Sequence, residues 1–154
     1  MTPQHKIILH GSAVALNVPG GAPSAVLLRG KSGTGKSDLA LRLMEAGGML
    51  ICDDQVVVER RQDKIVMDAA EAIRGLIEVR GVGLLKYPTA APARLRLVVD
   101  LVPRGDVPRL PDWENVDILG IAIPCLQLHA FDASTPLKII KAIELVHKPD
   151  LLVR

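Results

Sequence analysis

The chain has 154 residues, a formal net charge of +2 and 49% hydrophobic residues. That is enough to bury a core without disulfide or metal staples, and so small a net charge implies no field suited to nucleic acid or a membrane surface. The apolar run in MTPQHKIILHGS is too short for a signal peptide, and no apolar stretch is long enough to cross a bilayer. Cys52 and Cys125 lie in apolar contexts with no close-spaced partner, which predicts two buried, reduced thiols in a cytoplasmic chain. The only aromatic residues of the Phe, Tyr and Trp type are Tyr87, Trp113 and Phe131, so the core must be aliphatic.

In chain order, residues 7–18 read as a strand or a bent pair of strands, and Pro19 to Pro23 is a turn by composition. Ala25 to Leu28 is a short continuous apolar run, the pattern of a strand buried on both faces, and it leads into Gly30. From Lys36 to Ala46 the apolar spacing becomes helical, with Leu39, Ala40 and Leu43 on one face, and Gly47-Gly48 ends the helix. Met49 to Cys52 reads as a buried strand ending at Asp53-Asp54. Residues 55–59 and 64–67 read as strands about a polar turn that includes Arg60 and Arg61. Leu76 to Val79 is apolar except for Glu78 and is broken by Gly81-Val82-Gly83. Residues 94–102 form a strand, 103–111 a proline-rich loop, and 118–128 further strand. Thr135-Pro136 opens a last helix, with Thr135 as its expected N-cap and Leu137, Ile140, Ile143 and Val146 in its stripe. One strand–helix–strand unit followed mostly by strands predicts a single α/β domain over residues 1–154, with a mixed sheet.

Gly30-Lys31-Ser32-Gly33-Thr34-Gly35-Lys36-Ser37 fits G-x-x-x-x-G-K-[ST] at every defined position. A chance match in a chain this size is roughly one in a few hundred, and a buried strand before with an amphipathic helix after is the context the motif requires. The glycines let successive N–H groups turn inward on phosphate oxygens, and the helix adds its positive end. Lys36 can then reach the β- and γ-phosphates, and the Ser37 hydroxyl can ligate Mg²⁺. Asp53 and Asp54 stand at the end of the next strand, where an open α/β sheet gathers its ligand crevice. Successive strand residues face opposite ways, so the two carboxylates are expected to differ in role, one taking a proton or holding Mg²⁺ through water. His10 is a lone histidine, for which a structural role is the commoner reading. A carboxylate in a buried run needs a partner or a metal, which gives Glu78 two readings: a metal ligand, or an ion pair with Arg80. His129 and His147 receive no assignment.

The order and spacing of His10-Gly11, the loop motif GKSGTGKSDLALRLMEAG, Asp53-Asp54 and Glu78-Val79-Arg80-Gly81-Val82-Gly83 resemble the HPr kinase/phosphorylases of bacterial phosphotransferase systems. The similarity spans roughly residues 7 to 146. It implies a P-loop domain similar to that of phosphoenolpyruvate carboxykinases, here as a short form limited to the catalytic domain, and a homo-oligomer, hexameric by resemblance. It implies ATP- and Mg²⁺-dependent phosphorylation of a serine on the carrier protein HPr, reversed in many members by phosphorolysis. By matching position, Asp53 would be the general base, with His10 beside it and Asp54 supporting it. Gly30 to Ser37 would hold the nucleotide, Ser37 and Glu78 the metal, and Arg80 would sit near the phosphates. The chain departs from the family pattern at Ala133-Ser134-Thr135-Pro136, where many members carry a basic P-G-R-N element linked to phosphorolysis. A small-molecule P-loop kinase and a regulatory module that binds ATP without turning it over are the competing readings.

Overall fold

The computed structural model describes residues 5–153. Its strands are β1 (Lys6–His10), β2 (Ser12–Leu16), β3 (Ser24–Arg29), β4 (Met49–Cys52), β5 (Gln55–Arg61), β6 (Lys64–Ala69), β7 (Leu76–Val79), β8 (Gly83–Lys86), β9 (Ala93–Leu101), β10 (Glu114–Ile118) and β11 (Ile121–Leu128). The two α-helices are α1 (Lys36–Glu45) and α2 (Thr135–His147). Nine strands form one sheet in the order β1-β5-β6-β9-β3-β2-β4, with β11 also on β9 and β10 on β11; β7 and β8 form a separate ribbon.

The sheet is mixed, as the sequence predicts. Only β3–β9 and β9–β11 pair in parallel, and the other rungs are antiparallel. Because β2 runs antiparallel between β3 and β4, the strands β3, β4, β9 and β11 all point the same way. Their C-terminal ends therefore meet at one edge, which also receives the start of β2.

β3 is buried along its whole length up to Arg29, as its continuous apolar run requires. Val26 and Leu28 join Val14, Val99, Leu39 and Leu43 of α1, and Ile139 and Ile143 of α2 in one core under the helices. The alternate residues, among them Leu27, Ile51, Val58, Met67 and Val98, form a second core on the opposite face. Each fully buried Leu or Ile contributes about 1.5–3 kcal/mol, which is how an aliphatic core does without aromatic side chains.

Three local expectations are revised. The N-cap of α2 is Ser134, and Thr135 is the first helical residue. The Thr135 hydroxyl donates instead to the His129 carbonyl at 2.5 Å, tying the start of α2 to the chain just past β11. The buried face of α2 is Thr135, Ile139, Ala142 and Ile143, and Leu137 points outward. The 118–128 segment spans the turn and second strand of a β10–β11 hairpin, reversed at Leu119 (φ 51°) and Gly120 (φ 86°); positive φ at both central residues is what such a two-residue turn demands.

Candidate active site at the strand ends

The Gly30–Ser37 loop leaves the end of β3 and enters α1. Within it, the Thr34 N–H and hydroxyl both donate to the Lys31 carbonyl, at 3.1 and 2.7 Å. Lys36 folds back, its Nζ donating to the carbonyls of Gly30 (2.7 Å) and Lys31 (3.0 Å). The first-turn N–H groups of α1 have no partner within the helix, so the loop offers donors and a cation to an incoming phosphate.

Gly35 is held at φ +95°, and a Cβ there would stand 2.8 Å from the Phe131 ring and 2.9 Å from Ala130. Phe131 is 56% exposed and meets His129 edge to face at 5.8 Å. Its segment is fastened to α1 by Arg42, which donates to the carbonyls of Asp132 (3.2 Å) and Ala130 and to the Asp38 carboxylate (2.9 Å). Arg104 secures Asp132 in turn, at 2.8 Å. Sequence reasoning missed this brace, because its partners are carbonyls about 90 residues away.

Asp53 is buried at the end of β4. Its carboxylate accepts from Ser37 Oγ at 2.9 Å on both oxygens and from Ser12 Oγ at 2.6 Å. Ser12 escaped the sequence reading; its signal was only a small polar residue after His10-Gly11. Gly11 itself lies so close to β3 that a Cβ would be 2.6 Å from the Leu28 carbonyl oxygen, and its N–H donates to the Asp54 carbonyl at 3.0 Å. A larger residue would push the start of β2, and Ser12 with it, away from Asp53.

Asp54 adopts φ +74°, a left-handed conformation that reverses the chain between β4 and β5. Its side chain is exposed, as is that of His10, and His10 Nδ1 lies 3.9 Å from Asp54 Oδ1. The two carboxylates thus face different surroundings, and the contact His10 makes is with Asp54 rather than with Asp53. The reason lies in the ladder: His10 ends β1 opposite Gln55 of β5, the residue next to Asp54.

Glu78 and Arg80 belong to the β7–β8 ribbon. Ile77 points into the core beneath α1, so its neighbour Glu78 is exposed; the expectation of a carboxylate buried in an apolar run does not hold. Among the described residues Glu78 and Arg80 form no ion pair with each other, and neither makes a polar contact to Ser37 or Asp53. The hard oxygens the site does assemble, the Ser37 hydroxyl and the Asp53 carboxylate, suit Mg²⁺.

Beneath the loop, Arg29 and Asp100 are rung partners on β3 and β9. They form a two-pronged pair, Nε to Oδ1 at 2.8 Å and an Nη nitrogen to Oδ2 at 3.0 Å, which raises the Arg29 pKa further. Cys125 Sγ donates to the same carboxylate at 3.4 Å. Burial first, and then the Asp100 charge, push the Cys125 thiol up to about 11. At pH 8 its thiolate fraction is then on the order of a hundredfold below that of an ordinary thiol. Alkylation by iodoacetamide at pH 8 is expected to be slower than for an exposed cysteine by about that factor, rising roughly tenfold per pH unit. Mass-spectrometric timing of Cys125 modification checks this; a rate like that of a free thiol would contradict it. Both cysteines are free thiols, Cys52 buried and Cys125 only partly so.

Among the described residues no helix is long and apolar enough to cross a membrane, and no group of three or more His, Cys, Asp or Glu residues forms a metal cluster.

A family model described as the HPr Serine kinase C-terminal domain matches residues 4–149. The HPr kinase/phosphorylase of Chlorobium limicola is 34% identical over 149 residues, covering 88% of this chain and 44% of that protein. The Caldicellulosiruptor bescii HPr kinase/phosphorylase is 44% identical over 133 residues, covering 79% and 41%. The chain spans about two fifths of the length of these curated relatives. The solved structure of the Hpr(Ser) kinase/phosphatase from Coxiella burnetii shares the fold, with a TM-score of 0.79 and 22% identity over 94% of this chain and 92% of that one. With a mixed α/β sheet, a phosphate-loop motif at its strand ends and this pattern of similarity, the chain belongs to the HPr serine kinase C-terminal domain family.

Proposed function

We propose that the chain is an ATP- and Mg²⁺-dependent kinase that phosphorylates a serine of HPr. The observation that carries this reading is the position of Asp53, buried behind the Gly30–Ser37 loop and hydrogen-bonded to Ser37 in a chain of this family. A purely regulatory ATP-binding module would use this carboxylate only to help hold Mg²⁺ beside Ser37 and would need no proton acceptor, whereas phosphorylation of a serine hydroxyl needs one.

In the proposed reaction the loop N–H groups and Lys36 hold the β- and γ-phosphates. Lys36 would exchange its two carbonyl acceptors for phosphate oxygens, a charge-assisted contact that is stronger. Ser37 would ligate the metal, with Asp53 close by; Glu78 would join it only from the β7–β8 ribbon. The cation, when bound, neutralises charge on the phosphoryl oxygens. A carboxylate has about four acceptor sites, so Asp53 retains room for one more proton donor besides Ser12 and Ser37. It would take the proton of the HPr serine hydroxyl as that oxygen bonds to the γ-phosphorus and ADP leaves. In phosphorolysis, inorganic phosphate would attack phosphoserine, Asp53 would return the proton to the serine oxygen, and pyrophosphate would leave. Asp54 and His10 would act at the mouth of the site, toward the protein substrate, and Arg80 would act from the ribbon. A cytoplasmic homo-oligomer, hexameric by resemblance, completes the proposal.

The test is incubation of the chain with γ-labelled ATP, Mg²⁺ and HPr. Label on HPr is the expected result. Nucleotide bound without any transfer would favour the regulatory module, and label passing only to a small acceptor would favour a small-molecule kinase. Under the same conditions Glu78→Gln is expected to raise the Mg²⁺ concentration needed for half-maximal transfer by about tenfold. An unchanged Mg²⁺ requirement would remove Glu78 from the metal site.

A further inference from the structure

At the opposite end of β3 and β9 the sheet has an opening. β6 pairs with β9 only at Ala93 and Arg94, and β11 pairs with it only from Val98 to Leu101. The stretch between faces neither strand and borders a cleft of about 150 Å³, closed on its other sides by Ile123 and by Val146 of α2. Lys64, Arg94 and Arg96 line this cleft.

Arg96 is there because of a bulge. The β3–β9 register runs Ala25 to Leu95 and then Val26 to Leu97, so Arg96 is the extra residue. A bulge re-aims the side chain it carries, and here it places Arg96 in the cleft beside Arg94. Among the described residues, neither arginine nor Lys64 has a carboxylate partner. Asp63 also lines the cleft, but it pairs with none of the three. The crowding is felt by the neighbours. Burial and then Arg94 lower the Arg96 pKa. Burial followed by the charges of Arg96 and Arg94 lowers that of His147, whose Nε2 lies 2.9 Å from Ser24 Oγ.

We infer that this cleft is a second anion site, which binds a phosphoryl group through Arg94, Arg96 and Lys64. A half-buried Arg96 beside two further cations, with no paired counter-charge, disfavours the empty chain, and a bound dianion supplies the missing charge. Arginine forks match phosphate oxygens geometrically. The cleft is smaller than the ~300–1,000 Å³ of a site for a whole drug-sized ligand, so it suits inorganic phosphate, pyrophosphate or the head of a phosphate monoester. It lies roughly 17 Å from the Gly30–Ser37 loop, taken as the length of β3 at ~3.3 Å per residue, and is independent of the proposed kinase reaction.

The experiment is equilibrium dialysis of the full chain carrying Lys36→Met, which weakens the loop site, against labelled pyrophosphate. Parallel arms use inorganic phosphate and glycerol 3-phosphate to separate free phosphate from a phosphate ester. One remaining site is expected, weakened at least about tenfold by Arg94→Gln with Arg96→Gln and weakened less by Arg96→Lys with Arg94 intact, which keeps the charge but loses the fork. Without ligand, the doubly substituted chain is expected to melt no lower than its parent, because neighbouring like charges have been removed. No binding to the Lys36→Met chain, binding unaffected by the double substitution, or an acidic peptide that binds more tightly than pyrophosphate would each overturn the inference. A lower melting temperature would also overturn it, since the arginines would then be structural.

Discussion

Asp53→Asn is expected to lower phosphoryl transfer to HPr by about 10²–10⁴-fold, the usual contribution of a positioned general base, while ATP affinity changes by less than about threefold. The separation follows from the geometry. Asparagine is nearly the same shape, and its amide oxygen can still accept from Ser12 and Ser37, which reach Asp53 at 2.6 and 2.9 Å. The loop and its lysine are untouched, so the phosphates keep their donors. What disappears is a group able to take a proton. Asp54→Asn makes the comparison sharp, because Asp54 is exposed beside His10. It is expected to cost less than about tenfold. If the two variants rank in the opposite order, the base is Asp54, and Asp53 serves the metal side alone.

Gly35→Ala is expected to destabilise the chain by roughly 2–5 kcal/mol and to abolish measurable nucleotide binding. Two costs combine. A left-handed backbone costs a residue with a Cβ about 1–2 kcal/mol, and Gly35 has φ +95°. The new methyl would also meet Phe131 and Ala130 at 2.8–2.9 Å, and overpacking of that kind costs about 1–3 kcal/mol. Arg42 holds the opposing segment in place, which limits relief by movement. Gly33 is the control. It also has positive φ, but nothing lies within 4 Å of a Cβ there, so Gly33→Ala is expected to cost only about 1–2 kcal/mol. Thermal melting of both variants decides the point; equal losses would show that packing against Phe131 contributes nothing.

Much of the fold and of the candidate site is legible in the sequence because it is local. The loop motif needs only its own glycines, Lys36 and Ser37, flanked by a buried strand and a helix. Asp53 can be placed because strand ends converge at one edge of an α/β sheet. Features that depend on pairing between distant strands are not legible. His10 meets Asp54 because β1 pairs with β5, a register no periodicity reveals. The apolar neighbours of Glu78 suggest burial, yet it lies on the outer face of a two-stranded ribbon. Arg29 and Asp100 each look like a charge at the end of an apolar run, and only the parallel β3–β9 register shows them as partners. Arg96 looks like one charge in an alternating strand, and the bulge that turns it into a cleft leaves no mark in the sequence.

Whether the chain is a protein-serine kinase is decided by mapping the phosphate on HPr after reaction with the chain, ATP and Mg²⁺, by intact mass and peptide sequencing. A single added phosphate is expected, on a serine, and it should be absent when the Asp53→Asn variant replaces the parent chain. An HPr that stays unmodified while the chain binds ATP, or one modified on a residue other than serine, would contradict this.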